Sequence, residues 1–283
     1  MKELPRKVSA PLVRAMKGRG EKIVAVTAYD ATFARLLDEG GADVLLVGDS
    51  LGMVVQGLQH TLPVTLEEMV YHTRMVARGT QRAHVVADLP FLSYQVSSEQ
   101  ALQSSGALIK DGGAEAVKLE GGVRSAEAVR RVVEAGIPVM GHIGLTPQSV
   151  HAMGGFRIQG RGDEARKRLL DDAKALEQAG AYSIVVEGVP AELGKEITAL
   201  LEIPTIGIGA GKDCDGQVLV CYDMLGLLRG KSPKFVKRFA ELGDQVVVAT
   251  TRYAESVRAG TFPAAEHEFA TTTAAEPSRP RKA

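Results

Sequence analysis

The sequence predicts an α/β protein whose strand–helix units close into a (β/α)8 TIM barrel. Eight short apolar runs recur along the 283 residues, and most lack polar alternation, as parallel strands buried on both faces do. Amphipathic stretches of helical length separate these runs. Several of these stretches end in glycine directly before the next run, as in DEGGADVLLV and EAGIPVM, which is typical of repeated βα units. Eight such units within about 250 residues match the size of a barrel.

The predicted strands are short and rich in β-branched residues. They cover residues 23–27, 44–47, 84–87, 116–119, 137–140, 183–186, 205–208 and, less clearly, 218–221. An open doubly wound sheet is the alternative, with fewer strands and a glycine-rich nucleotide loop early in the chain. Here the glycine-rich segment GIGAG lies near the seventh strand, which favours the barrel.

The helices are predicted from apolar spacing and from their caps. Thr65 is a suitable N-cap for LEEMVYHTRMVARG, and residues 164–178 repeat apolar side chains at helical spacing. Residues 250–260 are predicted as the last helix. The first 20 residues predict a short N-terminal capping helix, with Ser9 as its N-cap and Pro11 in its first turn.

Residues 1–269 are predicted to form a single catalytic barrel domain. Beyond them, residues 270–283 have the sequence ATTTAAEPSRPRKA. This is a polar, low-complexity tail that we predict to be disordered.

Composition excludes several classes of protein. The 34 Lys and Arg residues balance 34 Asp and Glu residues, so the chain has no electrostatic footprint for nucleic acid. Cys214 and Cys221 are too few and too widely spaced for a disulfide framework. The charged N-terminal segment does not resemble a signal peptide, and no run of 18 apolar residues occurs, so no membrane span is expected. These features predict a soluble cytoplasmic protein.

Ionisable side chains follow five of the predicted strands at the end where barrel enzymes place their chemistry. This set comprises Asp49 with its neighbour Ser50, Asp88, Glu120 with Lys118 two residues earlier, His142 and Glu187. Lys118 and Glu120 share one face of their strand because strand side chains alternate with a period of two.

Asp49, Asp88 and Glu120 come from consecutive units, and three converging carboxylates suit a hard divalent cation such as Mg²⁺. The alternative for each carboxylate is a helix cap or an ion pair with a nearby base. The glycines around Asp49 and after Glu120 favour the metal, because they let the backbone approach a ligand closely and ordinary caps do not need them.

The other three strand-end residues each have a functional and a structural interpretation. Glu187, between an apolar strand and an apolar turn, is a candidate general base or else a carboxylate held by backbone amides or an arginine. His142 could bind substrate or play a structural part. Lys118 could neutralise a substrate carboxylate, and this is favoured because an unpaired lysine inside an apolar strand is costly.

Long motifs of the chain resemble those of the ketopantoate hydroxymethyltransferase family. They include VTAYDATFARLLDEGGADVLLVGDSLGMVVQG, TLPVTLEEMVYHTRMVARG, ADLPF, VKLEGG, GHIGLTPQSV and VVEGVP, and the resemblance extends over residues 8–267. It implies a (β/α)8 barrel that transfers a hydroxymethyl group from the co-substrate 5,10-methylenetetrahydrofolate to the oxo acid 3-methyl-2-oxobutanoate. The product is 2-dehydropantoate, made through a Mg-stabilised enolate in pantothenate and coenzyme A biosynthesis.

The resemblance also implies roles for the strand-end residues. Asp49, Asp88 and Glu120 would surround one Mg²⁺ per subunit, and Glu187 would be the catalytic base. Substrate binding would fall to Asp49, Ser50, Asp88 and Lys118, with His142 as a further candidate. The family typically forms a homodecamer. One departure is Gly188, where the family often has Cys; because the preceding Glu is kept, we expect the mechanism to be unchanged.

Two other functions remain as alternatives. A related Mg²⁺-dependent barrel that makes or breaks C–C bonds in oxo acids, such as a lyase or mutase, would tend to carry a catalytic cysteine in a KKCGH-like loop, which this chain lacks. A non-catalytic barrel that binds a ligand or a partner would have no physical need for three converging carboxylates.

Overall fold

The computed structural model describes residues 6–269, and these include a closed barrel of parallel strands in sequential order. The strands are β1 Ile23–Thr27, β2 Val44–Val47, β3 His84–Asp88, β4 Ala116–Glu120, β5 Val139–Gly144, β6 Ser183–Glu187, β7 Thr205–Ile208 and β8 Gly216–Leu219. The barrel closes where β8 pairs with β1, with Gly216 opposite Ile23. The predicted TIM barrel is therefore confirmed.

Two strands differ from the predicted ranges by two or more residues, whereas β3, β4 and β6 each end one residue later than predicted. β5 begins at Val139 and continues through His142 to Gly144, whereas residues 137–140 were expected. Pro138 cannot donate a ladder hydrogen bond, and Gly136 before it has φ of 87°, so the regular strand starts after both. β8 begins two residues early, at Gly216, where a Cβ atom would lie only 2.5 Å from the carbonyl oxygen of Ile23.

Helices surround the barrel in the expected alternation. They are α1 Ala10–Gly18, α2 Ala31–Glu39, α3 Leu51–Val54, α4 Leu66–Gly79, α5 Ser98–Lys110, α6 Ala126–Glu134, α7 Asp163–Gln178, α8 Ala191–Leu200, α9 Cys221–Met224 and α10 Leu242–Arg258. Short 3₁₀ turns occur at Val123–Ser125, Pro147–Ser149 and Ala265–His267. No helix among residues 6–269 is both long and apolar enough to cross a membrane.

The helix caps follow from local sequence. Thr65 forms a capping box with Glu68 at the start of α4, as the pattern predicts. Ser9 occupies the N-cap position of α1, with proline in the first turn, although its side chain makes no capping hydrogen bond. α10 begins eight residues earlier than the predicted start at residue 250. The additional segment includes the valine run at 246–248, whose β-branched side chains have low helix propensity, so the local sequence does not indicate a helix there.

One end of the barrel is closed by α1. Val13 and Met16 of this helix are buried in the same apolar cluster as Ile23 and Met140 of the barrel interior. Lys17 adds an ion pair to Asp215 with an Nζ–Oδ2 distance of 2.9 Å. The amino-terminal end of the barrel is therefore packed, which leaves the carboxyl-terminal ends of the strands for a site.

The single-domain boundary at residue 269 stays a prediction. The predicted disordered tail at residues 270–283 lies outside the described residues.

Candidate active site

Strand alternation directs the predicted side chains into the barrel. Ala116, Val86, Met140 and Val185 belong to the apolar cluster inside the barrel. The residues two positions further along each strand share that face, because side chains alternate with a period of two. These residues are Lys118, Asp88, His142 and Glu187, and Glu120 lies two positions beyond Lys118. All but Glu187 are buried, and its side chain is only 14% exposed.

Asp49, Asp88 and Lys118 form one half of the site. The backbone N–H of Asp49, just after β2, donates to Oδ2 of Asp88 at 3.1 Å. Oδ1 of Asp88 lies 2.9 Å from Nζ of Lys118, in an ion pair whose side chains are 4% and 5% exposed. The structure therefore brings these three predicted residues together, and Lys118 is paired as its burial requires.

His142 links Lys118 to the predicted base. Its Nδ1 lies 3.2 Å from Nζ of Lys118 and 3.5 Å from Oε1 of Glu120, while its Nε2 lies 3.1 Å from Oε2 of Glu187. The ring therefore spans the site between Glu120 and Glu187. Glu187 precedes Gly188, whose φ of 58° suits glycine and whose N–H donates to the carbonyl of Ile208.

A neutral side chain that sequence reasoning missed connects the carboxylates. Gln148 lies in the 3₁₀ turn after β5, and its Nε2 donates to Oδ2 of Asp49 at 2.8 Å. Its backbone N–H donates to Oε2 of Glu120 at 3.0 Å. Tyr94, also missed, donates from its hydroxyl to Oε1 of Gln148 at 2.7 Å and accepts from the N–H of Glu120. Gln148 belongs to the motif GHIGLTPQSV, but nothing in that motif indicates a role for this residue.

Ser50 stands at the edge of this cluster. Its Oγ lies 2.8 Å from the hydroxyl oxygen of Tyr29, a buried residue that sequence reasoning also missed. Burial raises the pKa of Tyr29, so this hydroxyl keeps its proton and remains a hydrogen-bond donor at the site.

The site contains more carboxyl groups than basic side chains. Burial, with repulsion from Asp88 and Glu120, raises the pKa of Asp49 to about 8. Burial also raises the pKa of Asp88 in spite of Lys118. Burial and Lys118 oppose protonation of His142, yet hydrogen bonds to Glu120 and Glu187 raise its pKa to about 9. An added cation would therefore be favourable here.

The donor chemistry fits Mg²⁺, although not as a ready-made cage. Among residues 6–269, no three His, Cys, Asp or Glu side chains are arranged to hold an ion by themselves. Mg²⁺ is usually bound through one or two carboxylates, with substrate oxygens and waters completing its shell. Asp49 and Asp88 provide two such carboxylates, and the backbone N–H of Asp49 donates to the carboxylate of Asp88. Gln148 hydrogen-bonds both Asp49 and Glu120 and so joins the third carboxylate to them.

These side chains line a small cavity of about 160 Å³ at the carboxyl-terminal end of the barrel. Asp49, Ser50, Asp88, Lys118, Glu120, His142 and Glu187 all contribute to its wall. All the side chains predicted for the site therefore line the same cavity. Cys214 and Cys221 do not, since both are buried in the layer between barrel and helices.

A family model described as ketopantoate hydroxymethyltransferase matches residues 7–265 of the chain. The chain belongs to this family. A 3-methyl-2-oxobutanoate hydroxymethyltransferase of Pelobacter propionicus is 55% identical over 269 residues, covering 95% of this chain and all of the relative. One of Syntrophus aciditrophicus is 56% identical over 264 residues, covering 93% of this chain and 97% of the relative.

Solved structures of lower identity share the ketopantoate hydroxymethyltransferase fold. A 2,3-dimethylmalate lyase of the PEP mutase/isocitrate lyase superfamily has a TM-score of 0.57 at 19% identity, covering 93% of this chain and 92% of its own. A phosphoenolpyruvate phosphomutase of Streptomyces platensis has a TM-score of 0.59 at 14% identity, with coverage of 93% and 92%. At these identities the likeness concerns the fold alone. Family membership makes the protein a hydroxymethyltransferase acting on small-molecule substrates.

Proposed function

We propose that this hydroxymethyltransferase adds the one-carbon unit of 5,10-methylenetetrahydrofolate to C3 of 3-methyl-2-oxobutanoate. Water supplies the hydroxyl oxygen, and the products are 2-dehydropantoate and tetrahydrofolate. The observation that carries the proposal is the buried convergence of Glu187, Lys118 and three carboxylates around one cavity. Its volume of about 160 Å³ suits a small oxo acid.

One Mg²⁺ per subunit is part of this proposal. Asp49 and Asp88 would hold it, with Glu120 contributing from beside Gln148. When bound, Mg²⁺ supplies a Lewis acid that polarises the keto oxygen of the oxo acid.

The protein's own groups bind the oxo acid and place its C3. The Lys118 ammonium, held by Asp88 at 2.9 Å, complements the negative charge of the substrate. Mutual attraction with Asp88, Glu120 and Asp49 outweighs the burial penalty and raises the pKa of Lys118, so the ammonium persists at any physiological pH. The Ser50 hydroxyl, oriented by Tyr29, provides a further hydrogen bond at the cavity wall.

Glu187 removes the proton from C3. Its carboxylate lines the cavity, and Oε2 lies 3.1 Å from Nε2 of His142, which orients it. Water breaks both C–N bonds that hold the one-carbon unit, so that tetrahydrofolate leaves and the one-carbon unit carries the oxygen of that water. The carbon that has lost its proton then attacks this unit, and the oxygen becomes the new hydroxyl group. The buried walls of the cavity limit water near this carbon before the new bond forms.

The cellular setting and the assembly belong to the proposal as well. The product would enter pantothenate and coenzyme A biosynthesis in the cytoplasm. Association of subunits is supported by the apolar surface of α10, because subunit contacts would cover it, and the family resemblance implies that the assembly is a homodecamer. That surface exposes Val246, Val247, Val248, Tyr253 and Val257.

The proposal is tested by supplying the oxo acid and 5,10-methylenetetrahydrofolate, with or without Mg²⁺, and following 2-dehydropantoate by mass spectrometry. We expect product only when all three are present, with loss on chelation and recovery when Mg²⁺ is restored. Folate-independent cleavage of the oxo acid, or turnover unaffected by chelation, would contradict the proposal.

Replacing the proposed base separates proton removal from binding. Glu187→Gln should slow exchange of the C3 proton of 3-methyl-2-oxobutanoate in D₂O by about 10²- to 10⁴-fold, since that is the usual contribution of a general base. NMR follows the exchange, and Mg²⁺ binding should persist in calorimetry. The matched control is Glu192→Gln, an exposed glutamate in the same βα unit. Exchange at the wild-type rate in Glu187→Gln would exclude Glu187 as the base.

A further inference from the structure

The catalytic cavity has a mouth whose side chains the proposed mechanism does not use. Met53, Phe156, Asp223 and Phe235 line it, and they lie on the segments that follow β2, β5 and β8. Phe156 lies between β5 and α7, and Asp223 lies in α9, directly after β8. We call these four residues the mouth cluster.

The cavity is too small for both substrates. Pockets that enclose a drug-sized ligand usually measure about 300–1,000 Å³, well above the 160 Å³ observed here. The oxo acid, which reaches the buried carboxylates, therefore fills the interior. The much larger folate has to lie across the mouth, with its one-carbon unit directed inward.

Asp223 is a carboxylate without an assigned partner at this mouth. Among residues 6–269 its side chain takes part in no hydrogen bond or ion pair. The charge of Arg238 acts on Asp223, but the Arg238 guanidinium donates its hydrogen bonds to other groups, among them Ser232 and Glu241. Burial raises the pKa of Asp223, which indicates a partly desolvated acceptor. A half-buried carboxylate of this kind favours a ligand that offers hydrogen-bond donors.

Two aromatic rings line the same cavity as Asp223. Phe156 is 52% exposed and Phe235 is 40% exposed, so both offer apolar faces to an incoming ligand. Phe235 lies over Gly209, where a Cβ atom would approach the ring to 2.9 Å. The absent side chain at Gly209 therefore lets this ring sit at the carboxyl-terminal end of β7.

We infer that the mouth cluster binds the pterin ring of the folate, with Asp223 accepting hydrogen bonds from it. A 2-amino-4-oxopterin carries two adjacent donors, N3–H and the 2-amino group, and a carboxylate accepts such a pair in a bidentate, charge-assisted way. Its flat ring suits the faces of Phe156 and Phe235. The inference rests on the proposed function, because it names the subsite of the proposed co-substrate.

The position of Asp223 explains the direction of approach. Asp49, Asp88 and Glu120 come from β2, β3 and β4, whereas Asp223 follows β8, on another part of the closed barrel. The folate would enter over the segments that follow β5, β7 and β8, while the oxo acid is held on the side of β2 to β4. C3 of the oxo acid then lies between Glu187 and the one-carbon unit.

The test compares Asp223→Asn with the wild-type enzyme in steady-state assays in which each substrate is varied. We expect KM for 5,10-methylenetetrahydrofolate to rise tenfold or more, with KM for the oxo acid unchanged. Proton exchange at C3, which needs no folate, reports separately on the oxo acid half of the site. Asp213→Asn, an exposed carboxylate outside the cavity, is the matched control and should leave both KM values unchanged.

A second measurement identifies the contact itself. Wild-type enzyme should bind tetrahydrofolate at least tenfold more tightly than its 2-desamino analogue, whereas Asp223→Asn should bind the two nearly equally. Equal preference in both proteins, or an unchanged folate KM in Asp223→Asn, would overturn the inference. Failure of the wild-type enzyme to use the folate at all would instead overturn the proposed function.

Discussion

At the scale of single residues, Gln148 does more for the site than its uncharged side chain suggests. It is 6% exposed and donates from Nε2 to Oδ2 of Asp49 and to the carbonyl of Leu89. It also accepts the Tyr94 hydroxyl and binds Glu120 through its backbone N–H. Such outer contacts fix the orientation of a metal-binding carboxylate. In the proposed Mg²⁺ site, Gln148 is therefore a positioning residue.

Gln148→Leu keeps the approximate volume of the side chain and removes these polar contacts. The Mg²⁺ concentration for half-maximal activity should rise about 10- to 100-fold, because Asp49 loses its orienting donor. Stability should fall by about 1–3 kcal/mol, since a buried acceptor is left unpaired. Activity against Mg²⁺ concentration measures the first effect and urea denaturation the second. Gln103→Leu, on the exposed surface of α5, is the control, and a loss of stability with unchanged Mg²⁺ dependence would mean that Gln148 is only structural.

The site residues that the sequence predicts are those at the ends of strands. Asp88, Lys118 and Glu187 could be found because each ends or nearly ends an apolar strand, and parallel strands of a barrel bring these ends together. Gln148, Tyr94 and Asp223 could not be found in this way. They lie on loops or on a short helix, where position depends on the folded path of the chain and not on a period.

At the scale of elements, α4 and α2 pack through a glycine. Gly79 is the last residue of α4, and a Cβ atom there would collide with backbone atoms of Ala31 at the start of α2. Backbone cannot move aside as the end of a flexible side chain can. The close approach of the two helices therefore requires glycine at this position.

A pair of identical substitutions tests this packing. Gly79→Ala should destabilise the protein by about 1–3 kcal/mol, because the added methyl group forces the helices apart. Gly106→Ala, inside α5 with nothing within 4 Å of the new Cβ, should stabilise it by up to about 1 kcal/mol through helix propensity. Denaturation curves measure both, and shifts of the same sign would refute the role assigned to Gly79.

Element boundaries depended on effects that local pattern does not contain. The apolar run that predicted β5 includes Ile137 and Pro138, yet the ladder begins at Val139. The valines of α10 resemble a strand, yet their neighbours on both sides continue one helix. Backbone hydrogen bonding decided where the regular structure begins.

At the scale of the whole molecule, the end of the barrel opposite the active site is closed by the N-terminal segment. Nζ of Lys7 lies 3.0 Å from Oε2 of Glu115, and the N–H of Val8 donates to the carbonyl of Arg82. Glu115 also accepts from the N–H of Val85 in β3, and Nδ1 of His84 lies 3.4 Å away. One carboxylate thus joins the N-terminal segment to two successive units of the barrel.

This junction predicts a pH dependence of stability. Partial burial opposes ionisation of Glu115, but hydrogen bonds from His84, Val85 and Lys7 outweigh it and lower its pKa from 4.5 to about 2. The unfolded chain binds the proton more readily than the folded one. The stabilisation from Glu115 is therefore fully present above pH 4.5 and is lost as the pH falls from there towards 2.

Glu115→Gln should remove that contribution. The free energy of unfolding should be lower than in the wild type at pH 6, and the difference should shrink steadily as the pH falls from 5 towards 3. Because Glu115 and Lys7 are partly exposed, dissolved ions can screen their ion pair. High salt should therefore reduce the difference as well. Urea denaturation at a series of pH values measures the effect, with the exposed Glu39→Gln as control. A difference that stays constant with pH would show that Glu115 stabilises the barrel by packing and not by its charge.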